Sequence, residues 1–405
     1  MTSTVRLPAL AALVAMSCSP ASAPQGATRA VAADPQAAGA EQPLHTFRER
    51  LERCAATTDS DGLLALFDAD AFFARAMQTD GDEGLRDLFV AQESASAIRL
   101  VIEPMATAAK NGGTVKPLRV LTRDGEPRLL VRIVASRFGL GMDYWELVLR
   151  SSTDGVRFVD VEGYANGAPT SELMRRLYLR WLGDHGVALD LSGRHGERMA
   201  DALQLGAIDH ALTTNDAATA IELYESSRDR VKQDRCALVL RVAASVELGD
   251  DRYENAITAL RSCAPNDPRA AVNIVNAYAK KGRWEAALDA MTLLDGQLDD
   301  PFVSVGKAMA LDTLGREQEA EMAFREAIRR DPNLVEAYEG CLAWSCLRHR
   351  YSIAVEMLRA LDERFPRRWS ELEKRPGFRG LVDSPEYRSW SASRSSAGAT
   401  PPASL

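Results

Sequence analysis

The sequence predicts an α+β domain followed by an all-α solenoid of helical hairpins. Between residues 45 and 163, apolar residues first recur at helical spacing and then form β-rich runs. From about residue 196, small and aromatic residues recur at intervals close to 34 residues, which is typical of stacked helical hairpins. The chain has 405 residues, 46% of them apolar and 26% charged, as expected of a globular protein with two or three domains.

Composition and motifs exclude several classes of function. The formal net charge is −8, whereas a nucleic-acid-binding protein usually presents a basic surface. The five histidines are scattered, and the sequence contains neither a Cys-X-X-Cys pair nor an HExxH motif. It also lacks a glycine-rich phosphate loop. We therefore predict no nucleic-acid partner, no metal and no cofactor.

The first residues predict export. Arg6 precedes an apolar stretch over residues 7–16, which is too short to cross a membrane as a stable helix. Small residues follow at once, as they do at a signal-peptide cleavage site. We therefore predict a signal peptide over residues 1–17.

The residues around Cys18 resemble a lipoprotein signal. The order Ala15-Met16-Ser17-Cys18 is similar to the lipobox of bacterial lipoproteins, which implies that Cys18 becomes the lipid-bearing first residue. Ser19 follows it in place of aspartate. The retention rule of those proteins then favours the outer membrane. We therefore predict a location in the cell envelope, at the outer membrane or in the periplasm. Two alternatives stay open, cleavage after Ala23 and an unprocessed terminus.

Two segments are predicted to remain without a fold. Residues 18–44 and 391–405 contain almost no large apolar side chains. They cannot bury enough surface to offset the entropy that ordering would remove. We predict that residues 18–44 form a flexible tether between a lipid anchor and the folded body, and that residues 391–405 are a disordered tail.

Residues 45–192 are predicted to form the α+β domain. Helical spacing of apolar residues continues to about residue 109. Four runs rich in valine, leucine and aromatic residues follow, and Asp-Gly turns separate them. Helices followed by an antiparallel meander make an α+β fold.

The last hairpin of this domain can be registered from its turn. A three-residue loop at residues 153–155 places Ser152 opposite Val156 and Glu146 opposite Glu162. One face of the hairpin is then apolar and consists of Trp145, Leu147, Leu149, Val159 and Val161. The other face is mainly polar and consists of Tyr144, Glu146, Arg150, Asp160, Glu162 and Tyr164.

This layout, closing on residues 145–167, resembles the cone-shaped fold of nuclear transport factor two and ketosteroid isomerase. In that superfamily the concave sheet face forms a pocket that can hold an acid or a base. The resemblance implies three candidate catalytic carboxylates with pKa values raised by burial: Glu146, Asp160 and Glu162. The interpretation we favour is a solvated sheet face on which these carboxylates pair with Arg132 and Arg150.

A periodic frame runs through the second half of the chain. Counted from Pro301, the regularly placed residues are Ala308, Gly315, Ala320, Phe324, Ala327 and Pro332. The frame recurs later at Tyr338, Ala354 and Pro366. It also recurs earlier, at Ala244, Ala256, Pro268, Tyr278, Gly282 and Ala287, and in a degenerate unit at Ala220 and Tyr224. Small residues allow two helices to approach closely, and the prolines end the second helix of each unit.

This frame resembles the tetratricopeptide repeat and implies about five helical hairpins over residues 196–368. Residues 369–390 are rich in large apolar side chains but leave the period, so we predict that they cap the end of the stack. In this family the first helices line a concave groove that binds peptides or proteins. Carried over by position, the groove residues are Leu238, Arg241, Ser245, Arg269, Val272, Asn276, Lys280, Phe302, Val305, Met309, Asp312, Glu336, Glu339 and Leu347.

Export and hairpin geometry together predict one disulfide. Cys236 and Cys263 lie at similar distances on either side of the turn near residues 249–251. Antiparallel helices place such residues side by side, and an oxidising compartment would allow a bond between them. The alternative is two buried thiols at helix ends.

These observations favour an exported, lipid-anchored scaffold that binds a protein or peptide through the groove of its repeats, and not an enzyme. The alternative is an enzyme or small-ligand binder of the isomerase or hydrolase kind, which would use a carboxylate of the α+β domain. Burial of Glu146 or Asp160 beside an apolar cavity would favour the enzyme.

Overall fold

A computed structural model describes residues 35–77, 83–111, 113–134, 142–153, 155–187, 193–249, 252–365 and 376–397. The predicted signal peptide, Cys18 and much of the tether lie outside these residues and stay predictions. The described residues divide into two compact units, one ending at Leu298 and the other beginning at Asp299. Among the described helices, none is both long enough and apolar enough to cross a membrane.

The first unit begins with helices and continues with one antiparallel sheet, so the predicted α+β class is confirmed. The helices are α1 (Pro35–Ala56), α2 (Ser60–Leu64), α3 (Ala69–Met77) and α4 (Glu83–Lys110). The strands are β1 (Thr114–Arg123), β2 (Glu126–Val134), β3 (Met142–Ser152) and β4 (Gly155–Gly163). Neighbouring strands pair in the order β1-β2-β3-β4. The helices pack on the apolar face of the sheet, where Phe158 lies against Phe47 and Phe67.

The register of the last hairpin is partly as predicted. Glu146 faces Glu162, and Val148 faces Asp160. Nearer the turn, however, Ser152 faces Gly155, so the predicted pairing of Ser152 with Val156 is wrong. A shift between Val148 and Leu149 reconciles the two parts, because it leaves Val159 as the extra residue of a β-bulge. Phe158 therefore takes the core position that was predicted for Val159.

Two helices extend into segments that were predicted to be disordered. Helix α1 begins at Pro35, inside the predicted tether. An alanine-rich stretch follows Pro35, and alanine has the highest helix propensity, while proline is well tolerated at the first helical position. At the other end of the chain, α18 (Pro385–Ala397) continues into the predicted tail. Its buried Trp390 anchors the helix, which then propagates beyond that residue.

After the sheet, a one-turn 3₁₀ helix at Tyr164–Asn166 leads into the helices that complete the first unit. They are α5 (Thr170–Asp184), α6 (Gly193–Thr213), α7 (Ala217–Glu225), α8 (Asp229–Lys232), α9 (Arg235–Leu248), α10 (Arg252–Cys263), α11 (Pro268–Lys280) and α12 (Trp284–Leu298). Aspartate side chains accept hydrogen bonds from backbone N–H groups at the start of three of them: Asp216 at α7, Asp234 at α9 and Asp267 at α11.

The second unit contains two further hairpins and a terminal segment. Its helices are α13 (Phe302–Thr313), α14 (Glu317–Arg330), α15 (Val335–Leu347), α16 (Tyr351–Arg364), α17 (Arg379–Val382) and α18. Ala308 and Ala320 are fully buried where α13 meets α14, as their small size predicts. Gly340 allows α15 to approach the Phe324 ring, because a Cβ atom at this position would lie 2.9 Å from that ring.

The turns between paired helices share a residue with a positive φ. The turn residue has a positive φ of 61° at Asn215, 79° at Gly249, 68° at Gly282, 74° at Gly315 and 54° at His349. Only glycine adopts this left-handed region freely, although asparagine tolerates it. These turns recur at the period of the sequence frame, and they mark five helical hairpins among the described residues. His349 is the member of the series that carries a bulky side chain.

Replacing His349 with glycine is expected to raise the free energy of unfolding of the second unit by about 1 kcal/mol, because the strain of its positive φ is removed. The side chain loses a contact between Nδ1 and the Tyr351 hydroxyl, but this contact is exposed. Chemical denaturation of both proteins gives the difference. The reverse change, Gly315→His, is the control and should destabilise the equivalent turn. Lower stability of His349→Gly would contradict this account.

Candidate functional site

The polar face of the sheet is buried. Glu146 and Asp160 are 0% exposed and Glu162 is 2% exposed, so the favoured interpretation of a solvated sheet face is wrong. The two expected arginine partners differ in burial. Arg150 is exposed, whereas Arg132 is buried on β2. Further arginines also bind the buried carboxylates, and some of them come from helices far along the chain.

Glu146 lies at the centre of the sheet. Both of its carboxylate oxygens accept hydrogen bonds from Arg123, at 2.9 and 3.0 Å. Arg128 donates to it from Nη1 at 3.1 Å, and the Tyr164 hydroxyl donates at 3.0 Å. A buried carboxylate is tolerated when its acceptor positions are filled by charged donors, as they are here.

Glu162 joins the sheet to the helical hairpins. Its carboxylate accepts hydrogen bonds from Arg128 on β2 at 2.7 Å, from Arg235 on α9 at 2.6 Å and from Arg269 on α11 at 2.5 Å. Burial by itself raises the pKa of Glu162, but attraction to Arg269, Arg235 and Arg128 outweighs burial and lowers the pKa to about 2. The group is therefore ionised at every pH near neutrality.

Asp160 holds the start of α5. Its carboxylate accepts hydrogen bonds from the Ser171 hydroxyl at 2.5 Å and from the Ser171 backbone N–H at 3.0 Å. Arg75 Nε lies 3.0 Å from Oδ2, the oxygen that also accepts from the Ser171 hydroxyl. Burial raises the pKa of Asp160, and the hydrogen bonds from Ser171 and Val161 oppose that rise. A carboxylate at a helix N-terminus also interacts favourably with the helix dipole.

The hydrogen-bond partners of Glu146, Asp160 and Glu162 indicate a structural role for these carboxylates. A general acid or base needs a pKa near the working pH, and that of Glu162 lies far below it. Three cavities bounded by described residues have volumes of about 680, 550 and 430 Å³, and none of the three is lined by a candidate carboxylate. Within the described ranges, no group of three or more His, Cys, Asp or Glu side chains is placed to hold a metal ion.

The predicted groove residues of the first unit have different environments. Arg269 was predicted to face the groove and bind a partner. It is instead buried and bound to Glu162 and Asp267 of the same chain. Leu238, Ser245 and Val272 are also buried. The remaining three are Arg241, which lies over the Tyr224 ring with 5.0 Å to the centroid, the half-buried Asn276, and Lys280, which is exposed and paired with Glu247.

The predicted groove residues of the second unit form a mixed surface on α13 and α15. Phe302, Val305 and Glu339 are buried, whereas Met309, Asp312 and Glu336 are half-buried. Asp312 accepts hydrogen bonds from Trp344 Nε1 at 2.9 Å and from Arg348 Nε at 2.7 Å. Leu347 is 69% exposed at the end of α15. This unit therefore presents an apolar side chain to solvent at a predicted binding position.

Sequence reasoning missed the arginines that neutralise the sheet. Arg128 stands four residues before Arg132 and on the same face of β2, so the pairing of β2 with β3 was needed to choose between them. Arg235 and Arg269 lie in the first turns of α9 and α11, beside the N-cap residues Asp234 and Asp267. No sequence signal connected α9 and α11 to the sheet.

The predicted disulfide between Cys236 and Cys263 is not formed, and both residues are free thiols. Cys236 Sγ is directed towards Arg176 Nη1 at 3.4 Å and the carbonyl oxygen of Asn166 at 3.7 Å. Cys263 is exposed, and its thiol donates to the carbonyl oxygen of Gln233 at 3.2 Å. The two sulfur atoms thus have separate partners, which the symmetric counting of residues around the turn did not reveal.

Comparison with known families identifies one of the hairpins. Residues 305–334 match the family model of the tetratricopeptide repeat. The chain contains a tetratricopeptide repeat. The match covers most of α13 and all of α14, and it confirms the family that the sequence frame resembles. No curated protein matches the chain. Tetratricopeptide repeats generally bind protein partners, so this protein is a candidate protein-interaction scaffold.

Proposed function

We propose that this tetratricopeptide protein is an exported, lipid-anchored scaffold that binds a protein or peptide. The binding surface is the face of α13 and α15 that carries Met309, Asp312 and Leu347, which we call the inner face. The match at residues 305–334 carries the proposal, because it lies within the hairpin that supplies half of this face. In the first unit one of the corresponding positions, Arg269 on α11, is already bound to Glu162 of the chain's own sheet, and Leu238, Ser245 and Val272 are buried. The second unit therefore offers the better binding surface.

The chemistry of the surface suits an apolar segment of the partner. Leu347 is 69% exposed, and Met309 is half-buried on the neighbouring first helix. Asp312 is held in place by Trp344 and Arg348, so its position is fixed before a partner arrives. Flexible apolar side chains beside a fixed polar group are suited to an interaction surface, since burial gives affinity and the fixed polar group gives orientation.

Affinity capture followed by mass spectrometry tests the binding face. Wild type, Leu347→Asp and Met322→Asp are compared, each with circular dichroism as a check of folding. Met322 is the matched control because it is also 69% exposed but lies on α14, the second helix of its hairpin. We expect Leu347→Asp to lose proteins that wild type and Met322→Asp both retain. Identical protein sets from all three would contradict the proposed face.

The anchor is tested by membrane fractionation. The motivation is the lipobox-like order that ends at Cys18. We expect the wild-type protein in the membrane fraction and Cys18→Ala in the soluble fraction. Equal release of both proteins would contradict lipid anchoring and leave the proposed binding face untouched, because that face lies in a different part of the chain.

The enzyme alternative has one observation in its favour, the burial of Glu146 and Asp160. Against it, both carboxylates accept hydrogen bonds from neighbouring side chains, and neither lines any of the three cavities described above. We therefore do not adopt an enzymatic function for the α+β domain.

A further inference from the structure

The N-terminal parts of α9 and α11 are covered by the chain itself. The backbone turn that follows β4 lies against both helices. Asn273 Nδ2 donates to the carbonyl oxygen of Tyr164 at 3.2 Å, and Arg235 Nη2 donates to that of Gly167 at 3.1 Å. The Cys236 thiol reaches the carbonyl oxygen of Asn166 at 3.7 Å. Side chains of the repeats therefore hold three carbonyl groups of a single turn.

Glu162 completes this contact from the end of β4. Its carboxylate accepts hydrogen bonds from Arg235 and Arg269, at 2.6 and 2.5 Å. We name the whole contact the latch: Glu162 and residues 164–167 on the sheet side, and Arg235, Cys236, Arg269 and Asn273 on the helix side.

We propose that the latch opens as a local event, separating the turn from α9 and α11 while both sides stay folded. The N-terminal parts of these helices then form an internal binding surface whose resting occupant is the chain's own α+β domain. Local openings with free energies below that of global unfolding are common at contacts with little apolar burial.

The ion pairs on each side support opening, because every charged group keeps a partner of opposite charge, with Arg235 and Arg269 then sharing Asp267. Arg235 and Arg269 also donate to Asp267, at 2.9 and 2.8 Å, and Asp267 belongs to the helix side. Glu162 also accepts from Arg128, at 2.7 Å, and Arg128 belongs to the sheet. Separation therefore avoids the large penalty of leaving a buried charge without a partner.

The chemical nature of the contacts also supports local opening of the latch. The named contacts are ion pairs and hydrogen bonds to carbonyl oxygens, and water can replace such partners when the surfaces part. A buried ion pair contributes little net free energy, since desolvation offsets much of its attraction. An apolar interface of the same size would resist opening more strongly.

Gly167 supplies a way to force the latch open without altering any charge. Its φ is +66°, and an added Cβ atom would lie 3.1 Å from Cys236 Cα and 3.2 Å from Val239 Cβ. Alanine at this position therefore pushes the turn away from α9. Gly186 is the matched control, because its φ is +73° and, chain neighbours apart, no atom of the described residues lies within 4 Å of an added Cβ.

The cysteines provide reporters at known places. Cys236 is buried in the latch, whereas Cys263 is exposed and should react at once with a thiol reagent. Cys54 is buried in the core of the α+β domain, and Cys341 is buried in the second unit. Reaction of these last two requires unfolding of their own surroundings, so they report on events other than latch opening.

Thiol labelling under native conditions, resolved by peptide mass spectrometry, tests the proposal on the full chain. In wild type we expect Cys236 to react at least about tenfold faster than Cys54 and Cys341. Gly167→Ala and Glu162→Gln should each raise the rate at Cys236 by a further factor of about ten, which corresponds to about 1.4 kcal/mol, and leave Cys54 unchanged. Gly186→Ala should match wild type.

Two results would overturn the latch. One is reaction of Cys236 at the rate of Cys54 in every variant, because the contact would then open only when the whole unit unfolds. The other is Gly167→Ala with the wild-type rate at Cys236. Thiol labelling needs no partner protein. A negative labelling result would therefore contradict the latch and leave the binding face on α13 and α15 untested, and a negative affinity capture would contradict only that face.

Discussion

Replacing Glu146 with alanine is expected to lower the free energy of unfolding of the first unit by about 3–5 kcal/mol. The carboxylate is 0% exposed and accepts hydrogen bonds from Arg123, Arg128 and Tyr164. Its loss leaves Arg128, itself only 4% exposed, with less compensation for its buried charge. Removal of one partner from a buried ion pair costs far more free energy than the intact pair contributes, because the other charge is left buried without compensation.

Chemical denaturation monitored by tryptophan fluorescence measures this change, because Trp145 lies on the same strand as Glu146. The matched control is Glu52→Ala. Glu52 is also paired with a cation, Lys116 at 2.8 Å, but the two side chains are 47% and 48% exposed. We expect this control to lose no more than about 1 kcal/mol. Equal effects of the two substitutions would show that the burial of Glu146 does not matter.

Replacing Phe324 with alanine is expected to destabilise the second unit by about 3–5 kcal/mol. The ring is 1% exposed, its centroid lies 6.0 Å from that of Trp344, and Gly340 packs directly against it. Alanine would leave a cavity between α14 and α15, which the surrounding helices can fill only in part. The loss combines the transfer free energy of the ring with the free energy of that cavity.

Thermal or chemical denaturation of the variant gives the size of the effect. Met322→Ala is the control on the same helix, because Met322 is 69% exposed and its truncation should change stability by less than about 0.5 kcal/mol. A small loss in Phe324→Ala would mean that the site collapses around the smaller side chain, contrary to the packing described here.

The local parts of the fold were predictable from sequence because local signals determine them. The 34-residue frame located the hairpins, and glycine at positions 282 and 315 marked two of their turns. The pairing of Glu146 with Glu162 was also correct. It was correct despite the wrong turn length, because a bulge at Val159 compensates for the shorter loop.

The site could not be predicted because its partners come from distant segments. Alternation of residues showed which face of β3 and β4 is polar, but an isolated hairpin does not reveal what covers that face. Arg269 lies 107 residues beyond Glu162 and was assigned to a groove through the family resemblance. The assumption that a polar face meets solvent then failed, since a carboxylate can be buried when enough cations accompany it.

The contacts between sheet and repeats limit how such a protein can vary in length. Solenoid proteins can gain or lose whole repeats, because each repeat normally contacts only its neighbours. Here Arg235 and Arg269 bind Glu162, and at the end of α12 the carbonyl oxygen of Leu298 accepts a hydrogen bond from Arg119 on β1 at 2.5 Å. The hairpins over residues 235–298 are therefore tied to the sheet by specific contacts and cannot be exchanged as independent repeats. A duplication or deletion that moved them would place the wrong side chains against the sheet.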